Sequence, residues 1–167
     1  MTAEARLPRV EKDAAGTFVL RDMPPLMAGA LRRLPSLLSP AAPGIRDRLT
    51  GTPYPGDDDG TRHWERHGAP ELAHLFQSAR EVVEGDLRGL CAEGKARGRY
   101  RVAIPAGHLE AWLSSLSAGR VGLGEEHGFG EVDLESALPD EIRTEKESAL
   151  LLVHLLGWVQ GLLLESA

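Results

Sequence analysis

The segment from Ser148 to Leu164 is apolar on nearly every face of a helix, and it constrains the fold more than any other part of the sequence. A helix that spans a bilayer needs about 20 consecutive apolar residues. This segment has 17, and His154, Gln160 and two glycines interrupt its apolar character. A helix that is apolar all round is typical of the centre of a bundle, or of a helix with a second face in a dimer interface. We therefore expect a homodimer through this last helix and no membrane association.

The spacing of apolar residues predicts four helices and two short strands. The first strand is predicted at residues 16–22, and Pro24-Pro25 opens a helix that Pro35 kinks or ends. A second helix runs from about Gly60 to Ala92, and a second strand follows at residues 100–104. A third helix at residues 105–128 is capped by Gly128, and the last helix begins at about Asp140. The two strands are expected to pair, because a lone strand leaves its backbone groups unsatisfied. Residues 39–61 are rich in Pro and Gly and are predicted to form a loop.

These elements predict a mostly α fold, a four-helix bundle with a small two-stranded β ribbon in the order β-α-α-β-α-α. Residues 1–15 are predicted to be a flexible tail, because chain termini are often poorly ordered. Residues 16–167 are predicted to be a single helical domain, since their length and composition are those of one ordinary globular unit.

The net charge of -6 is unevenly distributed. Residues 1–50 hold eight Arg or Lys against five Asp or Glu, whereas residues 121–167 hold two against ten. Because an acidic surface repels phosphate backbones, broad electrostatic binding of nucleic acid is disfavoured. The first 16 residues have no apolar stretch of the kind found in secretory signal peptides, and the single Cys91 cannot form an internal disulfide. We therefore expect a cytoplasmic protein.

Three short motifs resemble known ligand sites, but each lacks part of the required pattern. The candidate metal ligands are His63, His67 and His74. The first two lie four residues apart and can share a helical face, but the zinc-protease order and a third fixed ligand are missing, so surface histidines are favoured. The Asp57-Asp58-Asp59-Gly60 stretch lacks the ligand spacing of a calcium loop. The glycine-rich segment 119–124 lacks the preceding strand of a nucleotide site, and we expect no cofactor.

Two segments near the C-terminus carry a family resemblance. Trp112-Leu113-Ser114-Ser115-Leu116 is followed by Arg120, Leu123, Gly124 and Gly128, and about thirty residues later comes Leu156-Gly157-Trp158-Val159-Gln160. With Tyr54-Pro55-Gly56-Asp57, they resemble the small bacterial family, best known from actinobacteria, that is called domain of unknown function two thousand and seventeen. The resemblance spans most of residues 16–165 and implies one helical fold, but the family is uncharacterised and implies no function. Gly119 and Gly122 depart from its pattern, which indicates a close helix approach or divergence.

The candidate site residues, which are assigned to a groove for a partner or ligand, are Trp112, Arg120, Trp158 and Gln160. Arg120 falls on the apolar side of a helix, where its charge is costly to bury unless it finds carboxylates or carbonyls. One interpretation is that Arg120 ties the bundle together through Glu165, Asp133 or a helix C-terminus. The other is that Arg120 and the two tryptophans line a groove for a peptide or an anion, since Trp and Arg are frequent interface anchors.

We hypothesise a non-catalytic interaction or regulatory protein, which binds a second copy of itself and an unidentified protein. No serine lies in a Gly-x-Ser-x-Gly elbow, so no catalytic residue is nominated. The first alternative is a nucleic-acid-binding transcriptional regulator that uses a basic region formed by Arg32, Arg33, Arg46 and Arg48. The second alternative is a metal-dependent enzyme or binder built on His63 and His67.

Overall fold

The computed structural model describes residues 7–94 and 98–167, and most of them are helical. The strands are β1 (Arg9–Lys12), β2 (Phe18–Met23), β3 (Cys91–Ala92) and β4 (Tyr100–Ile104). The helices are α1 (Pro25–Leu37), α2 (Pro43–Thr50), α3 (Asp58–His63), α4 (Ala69–Leu87), α5 (Leu109–His127), α6 (Glu131–Glu135) and α7 (Glu145–Ser166). A π-helical turn, Trp64–Gly68, joins α3 to α4, and a 3-10 turn, Ala106–His108, leads into α5.

The strands form one antiparallel sheet in the order β1-β2-β4-β3. The predicted pairing of the two central strands is confirmed, with Phe18 opposite Ile104 and Leu20 opposite Val102. The prediction of a two-stranded ribbon was wrong in the number of strands, because β1 and β3 flank this pair and the sheet has four strands. Residues 9–12 fall within the predicted flexible tail and instead form β1, while residues 1–6 of that tail lie outside the described residues.

Two helical boundaries differ from the prediction for reasons visible in the backbone bonding. The last helix begins at Glu145 rather than near Asp140, because Thr144 and Glu147 form a capping box. The helix predicted to reach Ala92 ends at Leu87, and Cys91–Ala92 pairs with β4. Gly128 adopts a left-handed φ of 63° and caps α5, as the sequence predicted.

The predicted loop at residues 39–61 contains α2 and the start of α3. Pro43 occupies the first turn of α2, a position that tolerates proline because its N–H would have no partner there. Gly44 brings α2 against α5, since a Cβ at Gly44 would overlap the backbone of Gly122. A Cβ at Gly119 would lie 2.9 Å from Cδ1 of Leu34 on α1. Gly119 and Gly122 therefore mark close helix approaches.

The centre of the molecule is α5, which contacts α1, α2, α4 and α7. Its buried residues join one apolar cluster with the inner faces of the sheet, α1 and α7; members include Leu20, Ile104, Leu31, Leu34, Trp112, Leu116, Leu156 and Val159. Each fully buried leucine in such a cluster contributes about 1.5–3 kcal/mol through removal of apolar surface from water. The mostly α prediction is confirmed, and its longest apolar segment lies in α7.

Among the described residues, α7 is the one helix long and apolar enough to cross a membrane, judged by length and composition alone. Its most apolar window has a mean hydropathy of 1.5, and only 33% of that window is buried inside the protein. The core helix of a soluble protein passes the same test. The partial burial nevertheless leaves an apolar surface on α7 that the fold itself does not cover.

Candidate functional site

Arg120 of α5 reaches across to α7 through a short chain of hydrogen bonds. Its Nη1 donates to Oε1 of Gln160 at 2.8 Å, and Nε2 of Gln160 donates back to Oγ of Ser117 on α5 at 2.7 Å. Gly157 makes room for the guanidinium, because a Cβ there would lie 3.1 Å from Cζ of Arg120. Gly157 and Gln160 are three residues apart and therefore share the face of α7 that meets α5. The sequence predicted two of these four residues as site members, Arg120 and Gln160.

The Arg120 side chain also lines an open groove of about 670 Å³. Other lining residues are Ser117, Val121, Gly124, Glu125, Gly128, Phe129, Gly130, Leu134 and Val153. Within the described residues Arg120 makes no ion pair, and its Nε is buried without a hydrogen-bond partner. The groove thus presents a half-buried cation whose acceptor, the Gln160 amide oxygen, is neutral.

Neither carboxylate expected as the Arg120 partner fills that role. Asp133 instead accepts the Gly130 N–H at 2.9 Å and pairs with Lys146 at 3.4 Å. The Gly130 hydrogen bond, with the nearby Lys146 charge, holds the pKa of Asp133 below its ordinary value. Glu165 is exposed at the end of α7 and makes no ion pair with any described residue. Arg120 therefore links α5 to α7 through an amide rather than through a carboxylate.

Trp112 lies apart from the Arg120 groove, so its assignment as a groove residue was wrong. It is completely buried, and its indole Nε1 donates to Oδ2 of Asp86 on α4 at 2.8 Å. Asp86 also lies 3.0 Å from Nδ1 of His108. A buried indole N–H needs an acceptor, and here that acceptor fixes α4 against α5. Asp86 and His108 were not predicted from the sequence. The signal for Asp86 is that a buried tryptophan such as Trp112 requires a hydrogen-bond acceptor.

Comparison with known families supports the resemblance noted above. The family model described as Domain of unknown function (DUF2017) matches residues 6–167. The chain belongs to the DUF2017 family. No curated protein and no solved structure matches it.

In this DUF2017 protein the Leu156-Gly157-Trp158-Val159-Gln160 segment divides between two sides of α7. Leu156 and Val159 are completely buried, whereas Trp158 is 45% exposed and is not among the residues of the Arg120 groove. Spacings of four, three and four residues place an apolar row on the same side as Trp158. We call this row the α7 outer face: Leu151, Leu155, Trp158 and Leu162.

The α7 outer face continues onto α1. Leu26 is 56% exposed and lines a shallow cavity of about 260 Å³ together with Leu151 and Leu155. Leu164, which is 57% exposed, lies on a different side of α7 because it is two residues beyond Leu162. Arg33 and Ser148 also line this cavity, so α1 and α7 meet there at a surface that is mostly but not wholly apolar.

The three candidate metal ligands do not form a metal centre in the described part of the chain. The rings of His63 and His67 lie 4.8 Å apart between centroids, and both are exposed, as is His74. No group of three or more His, Cys, Asp or Glu side chains among the described residues is arranged to hold a metal ion. Asp57, at the start of the acidic stretch, accepts the N–H groups of Asp59 and Gly60 at 3.1 and 3.0 Å and caps α3.

The four arginines of the predicted basic region are divided between α1 and α2. Arg46 lies 3.7 Å from Asp47, and Arg48 lies 3.8 Å from Glu125. Arg32 lies over the ring of Tyr100, with 5.2 Å between Cζ and the ring centroid. The two α2 arginines thus have carboxylates close by, which weakens the positive potential that a nucleic-acid surface requires.

Proposed function

We propose that this DUF2017 protein is a cytoplasmic, non-catalytic interaction or regulatory module that forms a homodimer through α7. The observation that carries the proposal is the α7 outer face. It is apolar along three turns; Leu155 is buried, Leu151 and Leu162 are partly buried, and Trp158 is 45% exposed. Large apolar patches on soluble proteins are a typical feature of interaction surfaces, and tryptophan is a frequent energetic anchor in them.

A second copy of the same face fits this surface better than a lipid bilayer does. A twofold dimer places each patch against its own copy, so the apolar row of α7 is self-complementary. The other side of α7 already packs on α5, and the capping box at Thr144 closes its N-terminal end with polar groups. A bundle of helices with one further face against a partner helix accounts for the apolar character all round α7.

The exposed Cys91 and the overall charge agree with a cytoplasmic location. Cys91 is an unpaired thiol at the sheet edge, which suits a reducing compartment. The net charge of -6 favours solubility and disfavours a broad nucleic-acid surface.

The groove beside Arg120 is the place where we expect the second, unidentified protein to bind. Its half-buried guanidinium has a neutral acceptor on one side and an open groove on the other. A carboxylate or backbone carbonyl of a partner segment in this groove would add a charge-assisted hydrogen bond to the guanidinium, and hydrogen bonds to a charged donor are the stronger kind.

The dimer is tested by sedimentation velocity from low micromolar to several hundred micromolar protein. The wild-type chain is expected to show a concentration-dependent dimer. Trp158→Ser is expected to weaken it by about tenfold or more, because central tryptophans often contribute over 2 kcal/mol. Leu164→Ser is the matched control, since it removes an exposed leucine from another side of the same helix. A strictly monomeric wild type, or equal weakening by both variants, would contradict the proposal.

A further inference from the structure

A cleft between α1 and α4 is lined by three arginines and shares no residue with the Arg120 groove. Its volume is about 470 Å³. The lining residues are Arg32, Pro35, Ser36, Arg80, Glu84, Leu87 and Arg88. Three arginines and one glutamate line it, so the residues of the cleft carry a formal charge of about +2 in a chain whose net charge is -6.

These arginines lack the partners that other arginines of the same protein have. None of the three side chains makes a hydrogen bond or an ion pair within residues 7–94 and 98–167, and Nε of Arg80 is buried with no acceptor. By contrast, Arg21 donates to Glu93 at 2.5 Å and to Glu11 at 2.9 Å. The Arg21 and Arg9 guanidinium groups hold the pKa of Glu11 below its ordinary value.

The arrangement of the three side chains is set by helix geometry. Arg80, Glu84 and Arg88 follow one another at four-residue intervals, so they lie on one side of α4 and its last turn. Arg32 approaches from α1 and is held in place over the ring of Tyr100. The single carboxylate of Glu84 offsets only part of the repulsion between these like charges, and the remaining positive charge favours binding of a multivalent anion.

We propose that the α1–α4 arginine cleft binds the phosphate group of a small phosphate monoester. A phosphate dianion offers several oxygens to guanidinium groups, which bind them in bidentate pairs. The cleft has space beyond a single phosphate, and the apolar side chains of Pro35 and Leu87 provide a surface for the organic part of the ligand. Glu84 disfavours a second anionic group. A local, open cleft with a carboxylate also differs from the extended basic stripe that a nucleic-acid backbone requires.

The proposal is tested by titration calorimetry of the full chain with inorganic phosphate, phenyl phosphate and succinate at matched ionic strength. Phenyl phosphate is expected to bind saturably at one site per chain, more tightly than inorganic phosphate and at least about tenfold more tightly than succinate. Absence of saturable phosphate binding would overturn the proposal, and so would succinate binding as tight as that of phenyl phosphate.

Substitutions in the arginine cleft test whether it is the site that binds phenyl phosphate. Arg80→Gln is expected to weaken phenyl phosphate binding about tenfold or more, because it removes charge-assisted hydrogen bonds. Arg88→Gln, whose side chain is exposed, provides a second test should Arg80→Gln fail to fold. Arg33→Gln is the matched control, because it removes an exposed arginine of α1 that does not line the cleft. Equal weakening by Arg33→Gln, or unchanged binding in both cleft variants, would show that the ion is held by general charge and would overturn the assignment.

Discussion

The inner and outer sides of α7 are both rich in apolar residues but differ in their surroundings. Leu156 and Val159 face α5 and are fully buried, whereas Trp158, which lies between them in sequence, is 45% exposed. The inner side is covered by the protein itself, and its residues stabilise the fold. On the outer side, Leu155 is buried and Leu151 and Leu162 are partly buried against the core, so Trp158 is the residue of this row that the monomer leaves most exposed. Hydrophobicity alone therefore does not distinguish the α7 residues that stabilise the fold from those available for binding. The distinction depends on which residues each side chain packs against.

The largest effect is expected on the inner side. Leu156→Ala should lower the free energy of unfolding by about 3 kcal/mol, because it removes a fully buried side chain and leaves a cavity. Urea unfolding followed by circular dichroism measures this loss. Leu164→Ala is the comparison, and it should change stability by no more than about 0.5 kcal/mol, as is usual for exposed positions. Similar losses in the two variants would remove the distinction between the two sides.

A smaller effect is expected where polar groups interrupt the inner side. Gln160→Leu should lower the free energy of unfolding by about 2 kcal/mol, because the half-buried Arg120 guanidinium loses its acceptor. Arg120→Met combined with Gln160→Leu should recover most of that loss, since no charge is then left without a partner. A double-mutant cycle in urea measures the coupling, and strictly additive losses would show that the two side chains act independently.

The smallest effect on stability is expected at the capping box at the N-terminal end of α7. Glu147 accepts the N–H groups of Arg143 and Thr144, each at 2.8 Å, and these hydrogen bonds hold its pKa below the ordinary value of 4.5. A carboxylate with a depressed pKa stabilises the folded state above its unfolded pKa, and this contribution is lost as the pH falls through the folded pKa. Wild type should therefore have a higher Tm than Glu147→Gln at neutral pH.

That difference in Tm should shrink as the medium is acidified from about pH 6 to below about pH 4, because the wild-type carboxylate becomes protonated. Differential scanning calorimetry across this range measures the change. Glu145→Gln serves as the control, since Glu145 is exposed and is not part of the capping box. A Tm difference that is independent of pH would rule out the capping carboxylate as its source.

The sequence allowed prediction of those features that depend on local pattern. Alternation in Tyr100–Ile104 was enough to predict a strand and its pairing with β2, and Gly128 was recognisable as a cap. The helix α2 was missed because Pro43 and Gly44 are typical of loops, although one suits a first helical turn and the other allows contact with Gly122. The strand β1 was missed because its charged residues belong to an edge strand, which is only partly buried.

The site was predicted only in part, because its chemistry depends on contacts between distant segments. Arg120 and Gln160 were both named, and their hydrogen bond spans 40 residues. Trp112 was named for the wrong role, since nothing local indicates that Asp86 accepts its N–H. The arginine cleft could not be predicted, because Arg32 and Arg80 meet only after α1 packs on α4.

The hydrogen bond between Arg120 and Gln160 has a consequence for the proposed association through α7. This hydrogen bond and the contact of Gly157 with the guanidinium together fix the rotation of α7 about its own axis. Rotating the helix by one residue position would break both contacts. Trp158 is thereby held pointing outward before any partner arrives. A surface that is preorganised in this way loses less conformational entropy when a complex forms, so that more of its apolar contact area is converted into affinity.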